Sequence, residues 1–279
     1  MKHGGGESVD SIQMNFQDQV VLITGASNGI GHRLAIDLAA RGAIVVGCGR
    51  SLERLQATSA EMQRTSPLST AIQCDVAKLD QVREMVTAVL SKFGKIDILI
   101  NNAGIGMRKP FAETPIDVIE ELMRTNYLGV VYCTHEALPS MIARGRGHIV
   151  NISSVAGKIG ALNIAGYCAS KFAMNGLSES LYYELAPLGI NVSVICPGPV
   201  RTDFNKSFAD TPPKSPASLV VSAEFVSAAV IKAIEGRRFE VVLPRWLALI
   251  CWFKHAAPNL FRAIADRNFR HRIGETKKT

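Results

Sequence analysis

The chain has 279 residues, of which 47% are hydrophobic, and its 31 basic and 24 acidic residues give a net charge of +7. The apolar fraction excludes a disordered chain, because it is large enough to build a sizeable core. The six cysteines form no C-x-x-C pair, which argues against a zinc site or a disulfide framework and favours a reducing, cytoplasmic location.

Residues 1–15 are polar and glycine-rich, and they lack the apolar stretch of a secretory signal. We interpret them as a disordered leader, and Met14 is an alternative natural start. Residues 16–244 are expected to form one domain, and residues 245–279 a helical extension of that domain.

Apolar, β-branched runs alternate with helical segments along the rest of the chain. We predict strands near 19–24, 43–48, 70–74, 96–100, 147–152, 190–195 and 239–243, and helices near 29–41, 51–64, 79–93, 115–143, 162–187 and 222–235. This alternation predicts an α/β fold, a single Rossmann-type doubly wound parallel sheet of about seven strands with helices on both faces. Ligands bind such sheets at the carboxyl ends of the strands.

A glycine-rich turn follows the first predicted strand. Its glycines are spaced G-x-x-x-G-x-G, which differs from the common G-x-G-x-x-G dinucleotide signature. A strand, a glycine-rich turn and a helix together bring backbone N–H groups and a helix N-terminus up to a pyrophosphate. The turn therefore predicts a dinucleotide contact, formed by Gly25, Ser27, Asn28, Gly29, Ile30 and Gly31.

Three further residues have the chemistry needed to move a proton onto a carbonyl oxygen. Tyr167 and Lys171 share a helix face at i,i+4 spacing, and Ser154 precedes the tyrosine by thirteen residues. An ammonium beside a phenol favours the phenolate, so we expect the pKa of Tyr167 to be lowered toward the range of a general acid. Ser153 is a less favoured alternative to Ser154.

These motifs occur in one order with Asp75-Val76, Asn101-Asn102-Ala103-Gly104, Asn126 and Pro197-Gly198. Together they resemble the classical short-chain dehydrogenase/reductase family over nearly the whole chain, from about residue 16 to about residue 244. The resemblance implies that Tyr167 is the general acid/base, that Ser154 holds the substrate oxygen, and that Lys171 also contacts the cofactor ribose. It implies a water-holding role for Asn126, although a packed, satisfied polar side chain is the alternative there. The remaining implied cofactor contacts are Asp75 and Val76 at the adenine, with Asn102, Ala103, Gly104, Pro197, Gly198, Val200 and Thr202.

The end of the second strand indicates which cofactor binds. NAD-preferring enzymes place an acidic residue there for the ribose hydroxyls, whereas this strand ends without an acid and is followed by Arg50. A guanidinium suits a 2′-phosphate, so NADP(H) is the expected cofactor, unless Arg50 is only a solvated surface residue. Arg33 is either a second cation for the phosphate or ordinary helix surface.

The resemblance predicts an enzyme that reduces a ketone or aldehyde, or oxidises the corresponding alcohol, on a hydrophobic substrate. A 3-oxoacyl-[acyl carrier protein] reductase and a non-catalytic NADP-sensing module are the alternatives. Family analogy also predicts a homodimer or homotetramer. No metal site is expected, and no nucleic-acid partner, because the aromatic residues are not interleaved with the cations.

Two segments near the C-terminus carry further expectations. Residues 203–221 contain three prolines and are expected to form a lid over the substrate or a plain surface loop. Residues 237–279 hold ten basic and three acidic residues, and the apolar run 246–253 is too short to span a bilayer. We favour a helix that closes the substrate pocket or a subunit interface; the alternative is peripheral contact with a membrane surface.

Overall fold

The computed structural model of the chain describes residues 16–202, 204 and 220–276, without the side chains of residues 268–276. The strands are β1 Val20–Thr24, β2 Ile44–Gly49, β3 Thr70–Gln73, β4 Ile98–Asn101, β5 Gly147–Ile152, β6 Ile190–Pro197, β7 Val200–Arg201, β8 Val221–Ser222 and β9 Glu240–Leu243. The α-helices are α1 Gly29–Ala39, α2 Leu52–Gln63, α3 Leu79–Phe93, α4 Ile116–Met123, α5 Gly129–Ala143, α6 Ala165–Leu185, α7 Ala223–Glu235, α8 Leu247–Ala256 and α9 Pro258–Thr276.

Seven strands form one parallel sheet in the order β3-β2-β1-β4-β5-β6-β9, which confirms the predicted doubly wound fold. Leu22 of β1 pairs with Val46 of β2 on one side and Leu99 of β4 on the other. The order of the strands reverses between β1 and β4, and this switch point is where an open α/β sheet leaves a crevice for a ligand.

The sheet is stable because both of its faces are covered. On one face, α1 and α7 pack over Val21, Ile23 and the inner strands. On the other face, α3 and α5 pack over Leu22 and Leu99. Strands buried on both faces read as continuous apolar runs, and the all-buried β1 (VVLIT) is an example.

The predicted helix over residues 115–143 is divided in the structure. Between α4 and α5 the backbone makes a π-helical turn at Arg124–Leu128, which places Asn126 in a local widening of the helix. The prediction of one uniform α-helix is therefore wrong at this turn. The helix predicted near 162–187 ends as α6 at Leu185 and continues as a short 3₁₀ turn, Ala186–Leu188.

Two short strands were not predicted. β7 and β8 form a separate two-stranded sheet in which Val200 pairs with Val221, and they bracket most of the predicted lid. The predicted leader, residues 1–15, and most of the predicted lid, residue 203 and residues 205–219, lie outside the described residues.

The chain leaves the sheet at β9 and continues into α8 and α9. Leu247 packs with Val194 and Val242, so one side of α8 rests on the edge strand β9 and its neighbour β6. In the described part of the chain, no helix is both long and apolar enough to cross a bilayer.

Candidate functional site

A cavity of about 1120 Å³ opens at the carboxyl ends of the strands. Of the predicted site residues, all but two line it: Gly25, Ser27, Asn28, Gly29, Ile30, Arg50, Asp75, Val76, Asn102, Ala103, Gly104, Ser154, Tyr167, Lys171, Pro197, Gly198, Val200 and Thr202. The other two, Gly31 and Asn126, are buried behind its wall. The fold therefore brings residues from seven separate stretches of sequence to one edge of the sheet.

The ends of β1 and β4 are tied together by one hydroxyl and one amide. Thr24 Oγ1 accepts hydrogen bonds from the backbone N–H groups of Asn102 and Ala103, each at 2.9 Å. The Asn102 side chain donates in return to the carbonyls of Thr24, at 2.9 Å, and Gly25, at 3.1 Å. These bonds hold the glycine-rich turn against the segment after β4. Sequence reasoning did not find this role for Thr24, because a threonine that ends a strand carries no distinguishing motif.

Two glycines of the turn are required by packing. Gly25 has φ +67°, and a Cβ there would lie 2.8 Å from the Ala103 Cα. A Cβ at Gly31 would lie 2.3 Å from the Gly25 carbonyl oxygen. Gly31 does not line the cavity, and its hydrogen side chain lets α1 approach the turn closely. Its predicted contact with the cofactor stays a prediction.

The N-terminus of α1 faces the cavity through Gly29 and Ile30. Asn28 precedes the helix and makes no side-chain capping bond to its first turn. The backbone N–H groups of a helix's first turn have no partners within the helix, and they carry the positive end of the helix dipole. This arrangement fits a pyrophosphate group of a dinucleotide.

Two arginines lie at the end of β2. Arg50 and Arg54 both line the cavity, and the Arg50 carbonyl accepts a hydrogen bond from Gln73 Nε2 at 2.8 Å. Sequence reasoning missed Arg54, although its position in the first turn of α2 is a signal that it shares a surface with Arg50. Arg33 instead forms a two-bond ion pair with Asp37, at 3.0 and 2.7 Å, and borders a separate depression. Its position matches the second of the two alternatives predicted for Arg33, a residue on the ordinary surface of the helix.

Asp75 and Val76 lie at the wall that the resemblance assigns to adenine. The Asp75 carboxylate accepts a bond from the Ala77 N–H at 3.1 Å, and the Asp75 N–H donates to Gln81 Oε1 at 2.8 Å. Val76 packs against Gly129, where a Cβ would lie 2.9 Å from Val76 Cγ2. Asp75 is therefore held by two hydrogen bonds, and Val76 by close packing against α5.

Ser154, Tyr167 and Lys171 meet at the opposite end of the cavity. The Ser154 hydroxyl forms a hydrogen bond with the Tyr167 phenol and accepts one from the Ala156 N–H at 3.1 Å. Lys171 Nζ lies 5.9 Å from the centre of the Tyr167 ring and donates to the Ile152 carbonyl at 2.9 Å. The spacing of these residues in the sequence thus places three polar groups together.

Burial dominates the acid–base properties of this group. It raises the pKa of Tyr167 to about 12, and the hydrogen bond from Ser154 offsets only part of that effect. Burial also lowers the pKa of Lys171 to about 8. The prediction of a lowered tyrosine pKa is therefore wrong, because loss of hydration outweighs the hydrogen bond from Ser154.

Asn126 is fully buried, and both ends of its amide have protein partners. Its Oδ1 accepts from the Ile105 N–H at 2.8 Å, and its Nδ2 donates to the Ile105 carbonyl at 2.9 Å and to Ser170 Oγ at 3.0 Å. The side chain matches the predicted alternative of a satisfied polar residue, which holds the segment after β4 against α6. Its predicted catalytic role stays a prediction.

The Tyr167 end of the cavity continues into a wall that sequence reasoning did not resolve. Phe204 packs beside Tyr167 with 6.2 Å between ring centres and the two rings tilted by 52°. The other lining side chains here are mostly apolar and come from three segments without a shared motif: Ile105, Met107, Arg108, Val118, Glu121, Leu122, Val155, Ala156, Ile159, Ala161 and Ile164. Among the described residues, no group of three or more His, Cys, Asp or Glu side chains is placed to hold a metal ion.

Comparison with known proteins gives a family match and several relatives. Residues 19–213 match the family model described as short chain dehydrogenase. The chain is 41% identical over 197 residues to dehydrogenase/reductase SDR family member 7B of Danio rerio, a match that covers 68% of this chain and 64% of that protein. It is 34% identical to the dehydrogenase/reductase SDR family protein 7-like of Drosophila melanogaster, a match that covers 94% of this chain and 84% of that protein. It is also 37% identical to the 3-oxoacyl-[acyl-carrier-protein] reductase FabG of Staphylococcus aureus, a match that covers 68% of this chain and 77% of that protein.

Solved structures show the same likeness. A short-chain dehydrogenase/reductase from Burkholderia phymatum in complex with NAD superposes with a TM-score of 0.80 at 26% identity, covering 88% of this chain and 96% of that one. A short-chain dehydrogenase from Sphingobium yanoikuyae in complex with NADPH has a TM-score of 0.74 at 30% identity, covering 86% and 96%.

Proposed function

The chain belongs to the short-chain dehydrogenase/reductase family of oxidoreductases, and on that premise we propose that it is an NADP(H)-dependent carbonyl reductase. Its substrate would be a hydrophobic ketone or aldehyde, or the corresponding alcohol in the reverse direction. The observation that carries the proposal is that Ser154, Tyr167 and Lys171 meet at one end of a cavity whose other end is the glycine-rich turn. The bound dinucleotide would supply the hydride.

Tyr167 supplies the proton in this proposal. A phenol whose pKa is about 12 keeps its proton at neutral pH, which is the form that a general acid needs when a carbonyl is reduced. The Ser154 hydroxyl lies within hydrogen-bonding reach of the phenol, so an oxygen placed between them would contact both groups. Donors fixed in this way stabilise negative charge as it develops on the oxygen.

Lys171 supports the same step through its charge. Its ammonium is buried beside the tyrosine and held by the Ile152 carbonyl at 2.9 Å. Placed there, it would stabilise the phenolate that remains after proton transfer and would hydrogen-bond the cofactor ribose.

The first experiment follows the absorbance of NADPH with a panel of ketones and aldehydes graded by chain length. Tyr167→Phe removes the proton donor and keeps the ring, so we expect it to bind NADPH and to lose turnover by roughly a hundredfold or more. NADPH binding without turnover of any compound by the unmodified protein would favour the non-catalytic sensing module. Equal turnover by both proteins would refute the assigned role of Tyr167.

The proposed preference for NADP(H) rests on Arg50 and Arg54. Their guanidinium groups at the end of β2 suit a 2′-phosphate, and that strand end has no acid to bind free ribose hydroxyls. The two solved relatives contain NAD and NADPH respectively, so the choice has to be measured on this chain.

Substitution at Arg50 tests this preference. We expect Arg50→Gln to lower kcat/KM for NADPH by about tenfold and to leave kcat/KM for NADH nearly unchanged. Arg33→Gln is the matched control, because Arg33 is engaged by Asp37 outside the cavity. An equal loss of kcat/KM for both cofactors would show that Arg50 does not recognise the 2′-phosphate.

A 3-oxoacyl reductase is the second candidate, supported by the similarity to the Staphylococcus aureus enzyme. The apolar wall around Leu122, Ile159 and Ile164 fits an acyl chain as well as it fits a free hydrophobic ketone. Comparing a 3-oxoacyl thioester with a ketone of the same chain length separates the two candidates, since only an acyl reductase would strongly prefer the thioester.

The expected homodimer or homotetramer and the cytoplasmic location stay predictions. Phe172 and Tyr183 are exposed on α6, which is one of the helices expected to pack between subunits. Light scattering of the purified chain would give the number of subunits.

A further inference from the structure

Helices α8 and α9, and the residue just before α8, present several large apolar side chains to solvent. Trp246 at the N-cap of α8, and Leu249 and Trp252 within it, follow each other at three-residue intervals, and their exposed fractions are 43, 69 and 68%. On α9, Leu260 and Ile264 are 55 and 48% exposed. We call these five residues the apolar face.

The apolar face is held rigidly, because the other side of α8 is anchored to the domain. Leu247 and Cys251 are buried, and Leu247 packs on β6 and β9. Lys254 donates to the Lys158 carbonyl at 2.5 Å and lies over the Phe172 ring at 5.0 Å. Phe253 and Phe261 then join α8 to α9, with ring centres 6.1 Å apart.

The apolar face does not serve the cavity. No described residue of α8 or α9 lines the cavity that contains Tyr167, so the expectation that this segment closes the substrate pocket is wrong for the described side chains. β9 nevertheless ends at the carboxyl edge of the sheet, which places the start of α8 on the same edge as the cavity. A surface bound there would lie near the route by which a hydrophobic substrate enters.

Charge distinguishes between the occupants that could cover the apolar face. Residues 237–279 carry ten basic and three acidic residues, a net charge of +7. Of the exposed arginines, Arg245 lies just before α8, and Arg262 and Arg267 lie on α9. In a two-fold dimer the same patch meets itself, so these cations would face their own copies and repel. An anionic lipid surface attracts them instead, and tryptophan prefers the boundary between headgroups and acyl chains.

We propose that α8 and α9 form a docking surface for an anionic membrane, with the apolar face inserted among the headgroups and the arginines against lipid phosphates. The helices would lie on the bilayer, because they are too short and too polar to cross it. This proposal concerns where the protein binds, and it stands independently of the proposed reaction.

The two tryptophans provide a direct test, since the chain has only these two and both lie on the apolar face. The full chain would be titrated with phosphatidylcholine vesicles, with and without phosphatidylglycerol. We expect a blue shift of tryptophan emission and co-sedimentation only with the anionic vesicles, both weakened by added salt. Equal binding to neutral vesicles, or none to anionic vesicles, would overturn the proposal.

Matched variants connect binding to the apolar face. Leu249→Ser combined with Trp252→Ser should lower vesicle partitioning by roughly tenfold or more, as should Arg262→Gln with Arg267→Gln. Leu68→Ser is the control, because Leu68 is 60% exposed at the opposite edge of the sheet, before β3. Circular dichroism would check that each variant is folded. The membrane assignment would be refuted if the unmodified chain bound no vesicles and its oligomer dissociated in the Leu249/Trp252 variant. The apolar face would then be a subunit interface.

Discussion

A buried histidine in the middle of the sheet couples the stability of this protein to pH. His148 lies on β5, and its Nε2 is 2.8 Å from the Ser193 hydroxyl. Ser193 donates its own proton to the Arg238 carbonyl at 2.6 Å, so His148 Nε2 must be the donor in the first bond. Burial, and secondarily the charge of Arg237, lower the pKa of His148 from 6.5 to about 4.

The sign and size of the effect follow from this shift. Because the pKa of His148 is lower in the folded state, the unfolded chain binds more protons between pH 6.5 and pH 4. The contribution to stability is therefore complete above pH 6.5 and is lost as the pH falls toward 4. A difference of 2.5 pKa units corresponds to about 3 kcal/mol, which is a large share of the ~5–15 kcal/mol that stabilises a typical domain.

Urea unfolding of the natural chain and of His148→Gln, at several pH values between 7 and 4, measures this effect. The substitution removes the titrating group and keeps a side-chain amide donor. Any change in unfolding free energy caused by the loss of the ring itself is therefore the same at every pH. We expect the difference in unfolding free energy to move by about 3 kcal/mol in favour of the variant as the pH falls. Parallel pH profiles for the two proteins would refute the reasoning, because all other titrating groups are common to both.

Three further predictions concern the site. The pKa of Lys171 is lowered to about 8, so a reaction that requires its charge should lose kcat/KM for NADPH about tenfold per pH unit above that value. Lys171→Arg keeps its charge and should show no such fall. A kcat/KM that does not change with pH in the natural chain would exclude a role for the charge. Thr24→Val removes the acceptor of two consecutive backbone N–H groups and should lower the unfolding free energy by at least about 2 kcal/mol in urea titrations, whereas Thr24→Ser should be nearly neutral. Gly31→Ala would place a Cβ 2.4 Å from Asn102 Nδ2 and should abolish NADPH binding in a fluorescence titration. Gly176→Ala, in open space on α6, is its control and should bind normally.

The sheet could be predicted from the sequence because its signals are local. A parallel strand buried on both faces favours a mostly apolar run, and β1 and β5 were located within a residue by such runs, although β5 also contains the buried His148 and Asn151. The two-stranded β7–β8 sheet has no such signal, since each strand is two residues long and pairs with a distant segment. The π-helical turn at Arg124–Leu128 contains Asn126, whose hydrogen-bond partners Ile105 and Ser170 are distant in sequence, and no local pattern marks it.

Cavity-lining positions were predicted better than the physical role of each residue. A motif fixes which residue follows a strand, and the carboxyl ends of parallel strands meet at one edge, so Asp75, Asn102 and Ser154 reach the same cavity. The direction of a side chain depends on packing from other elements. Gly31 and Asn126 therefore lie behind the wall, and Arg54 lies on it unpredicted.

The acid–base state of Tyr167 and Lys171 illustrates the same limit in energetic terms. Their i,i+4 spacing establishes that the two groups are neighbours, but burial sets the direction in which the tyrosine pKa is shifted. The sequence contains no measure of burial, which in this protein comes from α4, from Phe204 and from the segment after β5. Burial prevails, so the phenol keeps its proton and Lys171 is the group that titrates nearer neutral pH. It follows that the pH dependence of any reduction by this protein should be set first by the lysine and only at much higher pH by the tyrosine.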